Sequence, residues 1–158
     1  MKAKDSRLLV VDASVARSAG ETEHPVSSAC RDALERILKV CHRVIMTEAI
    51  RLEWNKHQSR FTRIWYRSMV ARRKIRRAVG TPINPAPEAI EALSAGEREN
   101  LRKDLCLIEA ACDGDGIILT RDDVIVAIWQ KCQDGFRLPK PIRWINPVTD
   151  DKGALKHL

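Results

Sequence analysis

The sequence of 158 residues lacks a long apolar run, a glycine-rich phosphate loop and any Cys-x-x-Cys pair. Without a long apolar run or a signal-peptide core at the N-terminus, we expect a soluble, cytoplasmic protein with no membrane partner. The missing Gly-x-Gly-x-x-Gly motif argues against a Rossmann-type dinucleotide enzyme. Five cysteines without metal-ligand spacing and four scattered histidines predict reduced core thiols, and neither a disulfide framework nor a zinc site.

The most informative stretch spans residues 104–123 and reads DLCLIEAACDGDGIILTRDD. Its first half is typical of an amphipathic helix, and Asp104 falls near the middle of the apolar side. A carboxylate is almost never fully buried without a partner, so the fold has to supply a cation, a hydrogen-bond donor or a metal ion for it. The second half is a short apolar run that ends at Asp122 and Asp123. An acid on a helix followed by an acid just after the next strand is a metal-site pattern.

Two structural roles for these acids stay open on this stretch alone. One of the many arginines of the chain would neutralise Asp104 if the two were buried together. Asp122 or Asp123 would cap the helix that follows the strand, which is a common position for aspartate. In both cases the acids would stabilise the fold and carry no chemistry.

Two acids upstream repeat this arrangement, one directly after a predicted strand and one on a predicted helix. Residues 7–12 form an apolar run typical of a buried strand in a parallel sheet, and Asp12 closes it. Open α/β sheets bind ligands at the carboxyl ends of their strands, which favours a site role for Asp12 over a cap for the next turn. After a second strand-like run at 43–46, a predicted helix carries Glu53 on its inward side, whereas Glu48 lies roughly opposite.

Segments with strand and helix patterns alternate along the chain, which predicts an α/β protein with a mainly parallel sheet. Thr47 is a plausible cap for one helix, and the Ser94-x-x-Glu97 pattern is a capping box that predicts the start of another. The length suits one domain with a sizeable core. We expect that domain to cover residues 1–148 and the tail at 149–158 to be frayed.

The net charge of +7 is concentrated in residues 51–80, which hold ten basic residues and one acid and therefore carry +9. We predict that this segment is helical to about Arg77, with Trp54 and Trp65 among the interleaved aromatic residues. The pattern favours a nucleic acid whose bases can stack; a solvated helix face and a surface for an acidic protein stay open. The candidate nucleic-acid-binding residues are Arg60, Arg63, Arg67, Arg72, Arg73, Lys74, Arg76 and Arg77.

Five segments together resemble the PIN-domain family, the fold of many metal-dependent ribonucleases and of VapC-type toxins. They read LLVVDAS, TEAIRLEW, DLCLIEAA, IILTRDD and WINP, and the resemblance covers residues 7–147. Its most specific part pairs Asp-x-x-Leu-Ile-x-Ala-Ala with Thr-x-Asp about ten residues later. The resemblance implies a three-layer α/β/α sandwich, a Mg²⁺- or Mn²⁺-dependent endoribonuclease activity, and RNA and an antitoxin protein as partners. A second copy of the chain is a further candidate partner, at the basic segment.

The catalytic acids that the resemblance implies are Asp12, Glu53, Asp104 and Asp122. The implied metal ligands are Asp12, Asp104 and Asp122, and the implied supporting residues are Ser14, Thr120 and Asp123. Four carboxylates in one crevice repel one another, and a hard divalent cation with oxygen ligands would relieve that repulsion. The alternative is a catalytically silent RNA-binding or regulatory module of the same fold.

Overall fold

Five short strands form one parallel sheet in the computed structural model, which describes residues 6–150 and 153–158. In chain order they are β1 (Leu8–Val11), β2 (Arg43–Met46), β3 (Ile75–Arg77), β4 (Ile117–Leu119) and β5 (Arg143–Ile145). Their order across the sheet is β3–β2–β1–β4–β5, and every neighbouring pair is parallel. Strands β1 and β4 are completely buried, so the middle of the sheet is also the centre of the hydrophobic core.

Helices flank the sheet, which confirms the predicted α/β class with its parallel sheet. They are α1 (Ala13–Ser18), α2 (Pro25–Lys39), α3 (Glu48–His57), α4 (Arg60–Ala71), α5 (Pro87–Glu91), α6 (Ala95–Cys112) and α7 (Asp123–Cys132). The predicted caps are confirmed: Thr47 accepts a hydrogen bond from the Ile50 amide, and Ser94 and Glu97 form a complete capping box. Among the residues that the structure describes, no helix has both the length and the apolar character needed to cross a membrane.

The basic segment is not one helix to Arg77, and that prediction is wrong. Helix α3 ends at His57, Ser59 caps α4 by accepting from the Thr62 amide, and α4 ends at Ala71. The chain then reverses through Arg73, whose φ is +57°, and enters β3. The free edge of β2 explains the difference, because three residue pairs join β2 to β3 in parallel register, and this tertiary pairing outweighs the helix propensity of arginine and lysine.

Residues 153–158 of the expected tail contact helix α2, and the predicted fraying stays a prediction. A 3₁₀ helix at Ala154–His157 begins after Asp150, whose carboxylate accepts hydrogen bonds from two backbone amides of that turn. Arg36 on α2 donates from Nε to the Leu155 carbonyl over 2.6 Å and from Nη2 to the Lys156 carbonyl over 2.8 Å. Neither partner of these contacts could be identified from the sequence pattern, because the two segments are far apart along the chain.

The turn between α6 and β4 fits closely under the central strands. A Cβ atom on Gly114 would lie 2.5 Å from the Leu8 carbonyl oxygen and 2.6 Å from Cδ1 of Ile45. Only glycine is accommodated without displacing the backbone of β1. This contact therefore fixes the position of α6 relative to the sheet.

We expect Gly114→Ala to lower the free energy of unfolding by about 1–3 kcal/mol, because the added methyl group is forced against the β1 backbone. Gly96 is the matched control: it lies in α6, and a Cβ atom added there would have no neighbouring atom within 4 Å. Gly96→Ala should instead raise the stability by up to about 1 kcal/mol through helix propensity. Urea unfolding of both variants measures the difference, and equal stabilities would contradict the packing argument.

Candidate functional site

A cavity of about 530 Å³ opens beside the end of β1, and three of the four candidate catalytic acids line it. Asp12 follows β1, Glu53 lies on α3 and Asp104 lies on α6. Strand β1 has β2 on one side and β4 on the other, so the chain changes direction across the sheet at this point. Such a topological switch point is where open α/β sheets bind their ligands.

Asp12 is held at the end of β1 by two hydroxyl groups. Ser14 donates to Asp12 Oδ2 over 2.6 Å, and Thr120 donates to the same oxygen over 2.8 Å. The Ser14 and Thr120 hydroxyls in turn accept hydrogen bonds from the amides of Arg121 and Asp122. Both predicted supporting hydroxyls therefore connect Asp12 to the end of β4 and fix the orientation of its carboxylate.

Asp104 is half-buried, and its pKa is raised to about 7. Burial is the main cause, and the charges of Asp12, Asp122 and Glu53 raise the pKa further, whereas Lys103 lowers it. The described residues form five ion pairs, and none of them includes Asp104. The sequence left open that an arginine neutralises Asp104. No such arginine is found in the described part of the chain.

Asp122 caps α7, as the structural alternative predicted. Its Oδ1 accepts hydrogen bonds from the Val124 amide over 2.9 Å and from the Ile125 amide over 3.3 Å. The charge of Asp122 nevertheless raises the pKa of Asp104, so capping and a role near the cavity are compatible. Asp122 contributes to the electrostatics of the site even though it does not line the cavity.

Asp123 does not line the acidic cavity. Its carboxylate accepts a hydrogen bond from Asn146 Nδ2 over 3.1 Å, and it lines a different cavity together with Trp144. This cavity is beside β5. The structure therefore gives Asp123 a role in holding the turn at Asn146. No contact of Asp123 with the three acids that line the acidic cavity is found among the described residues, so the supporting role implied by the resemblance stays a prediction.

Glu53 lines the acidic cavity and Glu48 lines a neighbouring one, but both side chains are exposed, so the structure does not bear out the predicted inward position of Glu53. The Glu53 carboxylate is 3.1 Å from Lys56 Nζ and 3.8 Å from His57 Nε2. Lys56 also lines the cavity, as does Lys103. These two lysines were missed in the sequence, although Lys56 three residues after Glu53 is the spacing of an ion pair on a helix face.

The acids surround a common space without forming a closed set of metal ligands. Within residues 6–150 and 153–158, no three His, Cys, Asp or Glu side chains are grouped closely enough to hold a metal ion. The acids nevertheless raise the pKa of Asp104, because charges interact over many ångströms, whereas Mg²⁺ ligation requires oxygens at about 2.0–2.1 Å from the ion. Asp12 and Asp122 are also engaged in their own hydrogen bonds. The donor set is nevertheless all oxygen and negatively charged, which suits a hard divalent cation.

The basic segment is mostly exposed, but its tryptophans are not. Seven of the eight candidate RNA-binding side chains are exposed, and Lys74 is half-buried. Trp54 is completely buried and donates to the Val11 carbonyl, and Trp65 is 3% exposed and donates to the Leu34 carbonyl. The expectation that these rings stack on bases is therefore wrong, because both belong to the core. Charge remains the feature that favours RNA on this surface.

Cys106 is a further cavity residue that the sequence did not indicate. It lies two residues after Asp104, and the pKa of its thiol is raised to about 11, first by burial and then by the charge of Asp104. A thiol with a raised pKa is protonated at neutral pH and is a poor nucleophile. Cys106 is therefore not a candidate nucleophile of this cavity.

No protein-family model matches the chain, and no curated protein matches it. The PIN-domain resemblance thus rests on the motifs of the sequence and stays a prediction. What the structure itself contributes is a parallel α/β fold and a cavity with clustered acids at its switch point.

The raised pKa of Asp104 predicts how stability without metal depends on pH. Because the folded protein binds this proton more tightly than the unfolded chain does, the stabilising contribution is complete below about pH 4 and is lost as pH rises to about 7. After allowance for partial exposure, the loss should be on the order of 2 kcal/mol. In EDTA, Asp104→Asn should lose this pH dependence and melt higher than the wild type at pH 8.

Asp134→Asn is the matched control, because it removes the same charge at an exposed position outside the cavity. Its melting temperature should follow that of the wild type at every pH. Thermal melts between pH 4 and pH 8 compare the three proteins. A strong destabilisation by Asp104→Asn at all pH values would instead indicate that Asp104 neutralises a buried cation.

Proposed function

We propose that this protein is a Mg²⁺- or Mn²⁺-dependent endoribonuclease of the PIN-domain type. The observation that carries the proposal is Asp104, a half-buried carboxyl group that has three further acids acting on it and no ion pair with a described cation. Such an arrangement is unfavourable unless a cation or a proton compensates for it. Its place beside the end of β1 supports a functional role for the acids.

The residues that would hold the ion are Asp12, Asp104 and Asp122, with Glu53 at the rim of the same cavity. The chemistry that a bound divalent cation supplies is Lewis-acid activation of water and neutralisation of charge at the reacting phosphate. In this chain Ser14 and Thr120 orient the Asp12 carboxylate by occupying Oδ2, which leaves Oδ1 without either hydroxyl.

The lysines of the cavity would offset the repulsion between its acids and an RNA phosphate. Lys56 and Lys103 both line the cavity, and neither is buried. Their positive charges favour a phosphate at the cavity mouth, where the acids alone would repel it. The exposed basic residues from Arg60 to Arg77 would attract more distant parts of the strand.

A catalytically silent RNA-binding module is the second candidate. It is favoured by the lack of a tight group of three metal-ligating side chains among the described residues. The capping role of Asp122 points the same way. The antitoxin is proposed from the resemblance alone. A second copy of the chain is proposed as a partner of the basic segment, and a cytoplasmic location is proposed from the cysteine pattern and the missing signal-peptide core.

Metal-dependent cleavage separates the two candidates. Purified protein should cut single-stranded RNA with Mg²⁺ or Mn²⁺, stop in EDTA and recover when metal is added back. Asp12→Asn and Asp104→Asn should each lower the rate by at least about a hundredfold, because each removes a charge that would hold the ion. A gel assay of labelled RNA measures the rate.

Asp134→Asn provides the matched control for these two variants and should cleave at the wild-type rate. Calorimetric titration with Mn²⁺ gives a second readout, since loss of Asp104 should weaken metal binding even if the RNA used is a poor substrate. Wild-type protein that binds RNA but neither cleaves it nor binds metal would favour the silent module. Full activity of either cavity variant would contradict the proposed assignment of acids.

The role of the basic segment can be tested by its salt dependence. Arg72, Arg73 and Arg76 are all exposed, and we expect their combined replacement by Gln to weaken RNA binding. The slope of the logarithm of the RNA association constant against the logarithm of the salt concentration should become shallower by about 2. Three phosphate contacts fewer release fewer counterions from a single strand. Fluorescence anisotropy in EDTA measures both quantities. An unchanged slope would assign this surface to a protein partner.

A further inference from the structure

A second cavity of about 380 Å³ lies next to the acidic one. It is lined by the residues that follow β2 and β3, among them Thr47 and Ala78, and by residues of α3. Leu52 on α3 lines both cavities and is 54% exposed, so it forms the ridge between them. The two cavities therefore open at the same edge of the sheet.

Arg51 is the unusual residue of this second cavity. Its guanidinium carbon lies 4.0 Å from the centre of the Tyr66 ring, a cation–π contact that holds the side chain in place. Arg51 Nη1 is buried, and none of the described residues accepts a hydrogen bond from it. A buried donor without an acceptor is unfavourable. Because the Arg51 side chain is only half-buried and lines the cavity, its guanidinium group can be reached from there, and a ligand oxygen beside it would be favoured.

The charge of the second cavity favours an anionic ligand. Arg51 and Arg77 both line it, and Glu48 is the single acid among its lining residues. A planar guanidinium fixed by stacking is suited to the paired oxygens of a phosphate. The cavity thus offers an anion site one ridge away from a cavity whose acids would repel an unaccompanied anion.

We propose that the second cavity binds a phosphate group of the RNA strand, a few nucleotides from the bond that is cleaved. The proposal rests on the proposed function, because RNA is the ligand that would have to reach both cavities. Helix α3 with its side chains is only about 10 Å across. A single strand that crosses Leu52 would therefore present one phosphate to Arg51 and another to the acidic cavity.

RNA affinity in EDTA tests this proposal, because the measurement does not depend on cleavage. A short fluorescein-labelled single-stranded RNA serves as the probe. Arg51→Gln should weaken binding on the order of tenfold, since hydrogen bonds to charged groups contribute that much. The salt slope should fall by about 0.7, the value for one phosphate contact on a single strand. Arg51→Lys should also weaken binding, because it keeps the charge but loses the planar fork.

Two further variants serve as a control for net charge and as a second test of the cavity. Arg137→Gln removes one exposed positive charge away from both cavities and should change the affinity less than twofold. Arg77→Gln changes an exposed strand residue that lines the cavity and should weaken binding even if replacement of Arg51 disturbs the packing on Tyr66. Melting curves of all four variants verify that they are folded.

The proposal is overturned if the Arg51 and Arg77 variants bind RNA no more weakly than Arg137→Gln does, which would leave the cavity to a protein carboxylate or another anion. It is also overturned if Arg51→Lys binds as the wild type does. Neither result affects the cleavage assay. Metal-dependent cleavage by the wild type, together with unchanged RNA affinity of the Arg51 variants, would retain the proposed function and reject this site. Weakened binding without any cleavage would support the site and reject the enzyme.

Discussion

The hydrogen bonds from Ser14 and Thr120 to Asp12 join the two halves of the sheet at its carboxyl edge. They lie where β1 and β4 are neighbours although 108 residues separate Asp12 from Thr120 along the chain. The same two hydroxyls accept from the amides of Arg121 and Asp122, so the start of α7 is positioned by the end of β1. The orientation of Asp12 and Asp122 therefore depends on a small, partly buried polar network at the edge of the apolar core.

This network also explains how the fold tolerates its clustered acids. Asp12 and Asp122 are compensated by hydroxyl and amide donors, which stabilise a carboxylate without bringing a positive charge. Asp104 has no such donors among the described residues, so its burial, together with the charges of the neighbouring acids, raises its pKa. A proton and a divalent cation are thus alternative ways of compensating the same group.

Strands β1, β2, β4 and β5, the caps at Thr47 and Ser94, and the inward position of Asp104 follow from local patterns, and for that reason they could be predicted from the sequence. The edge strand β3 could not, since Ile75 to Arg77 have no strand pattern of their own and pair only because β2 has a free edge. The burial of Trp54 and Trp65 was missed for a similar reason. An aromatic residue in a basic helix fits a core and a stacking surface equally well until its tertiary neighbours are known.

Under the proposed ribonuclease function, the separation of positive from negative charge across α3 has a physical consequence for RNA. The whole protein carries +7, yet the acidic cavity would repel phosphate at short range, so long-range attraction and local repulsion would act on the same RNA strand. Attraction alone would hold RNA on the basic surface with its backbone outside the acidic cavity. Lys56 and Lys103 reduce the local repulsion but leave Asp104 without an ion pair. Entry of a phosphate into the acidic cavity would then require a cation there, which would couple RNA positioning to the ion that the chemistry needs.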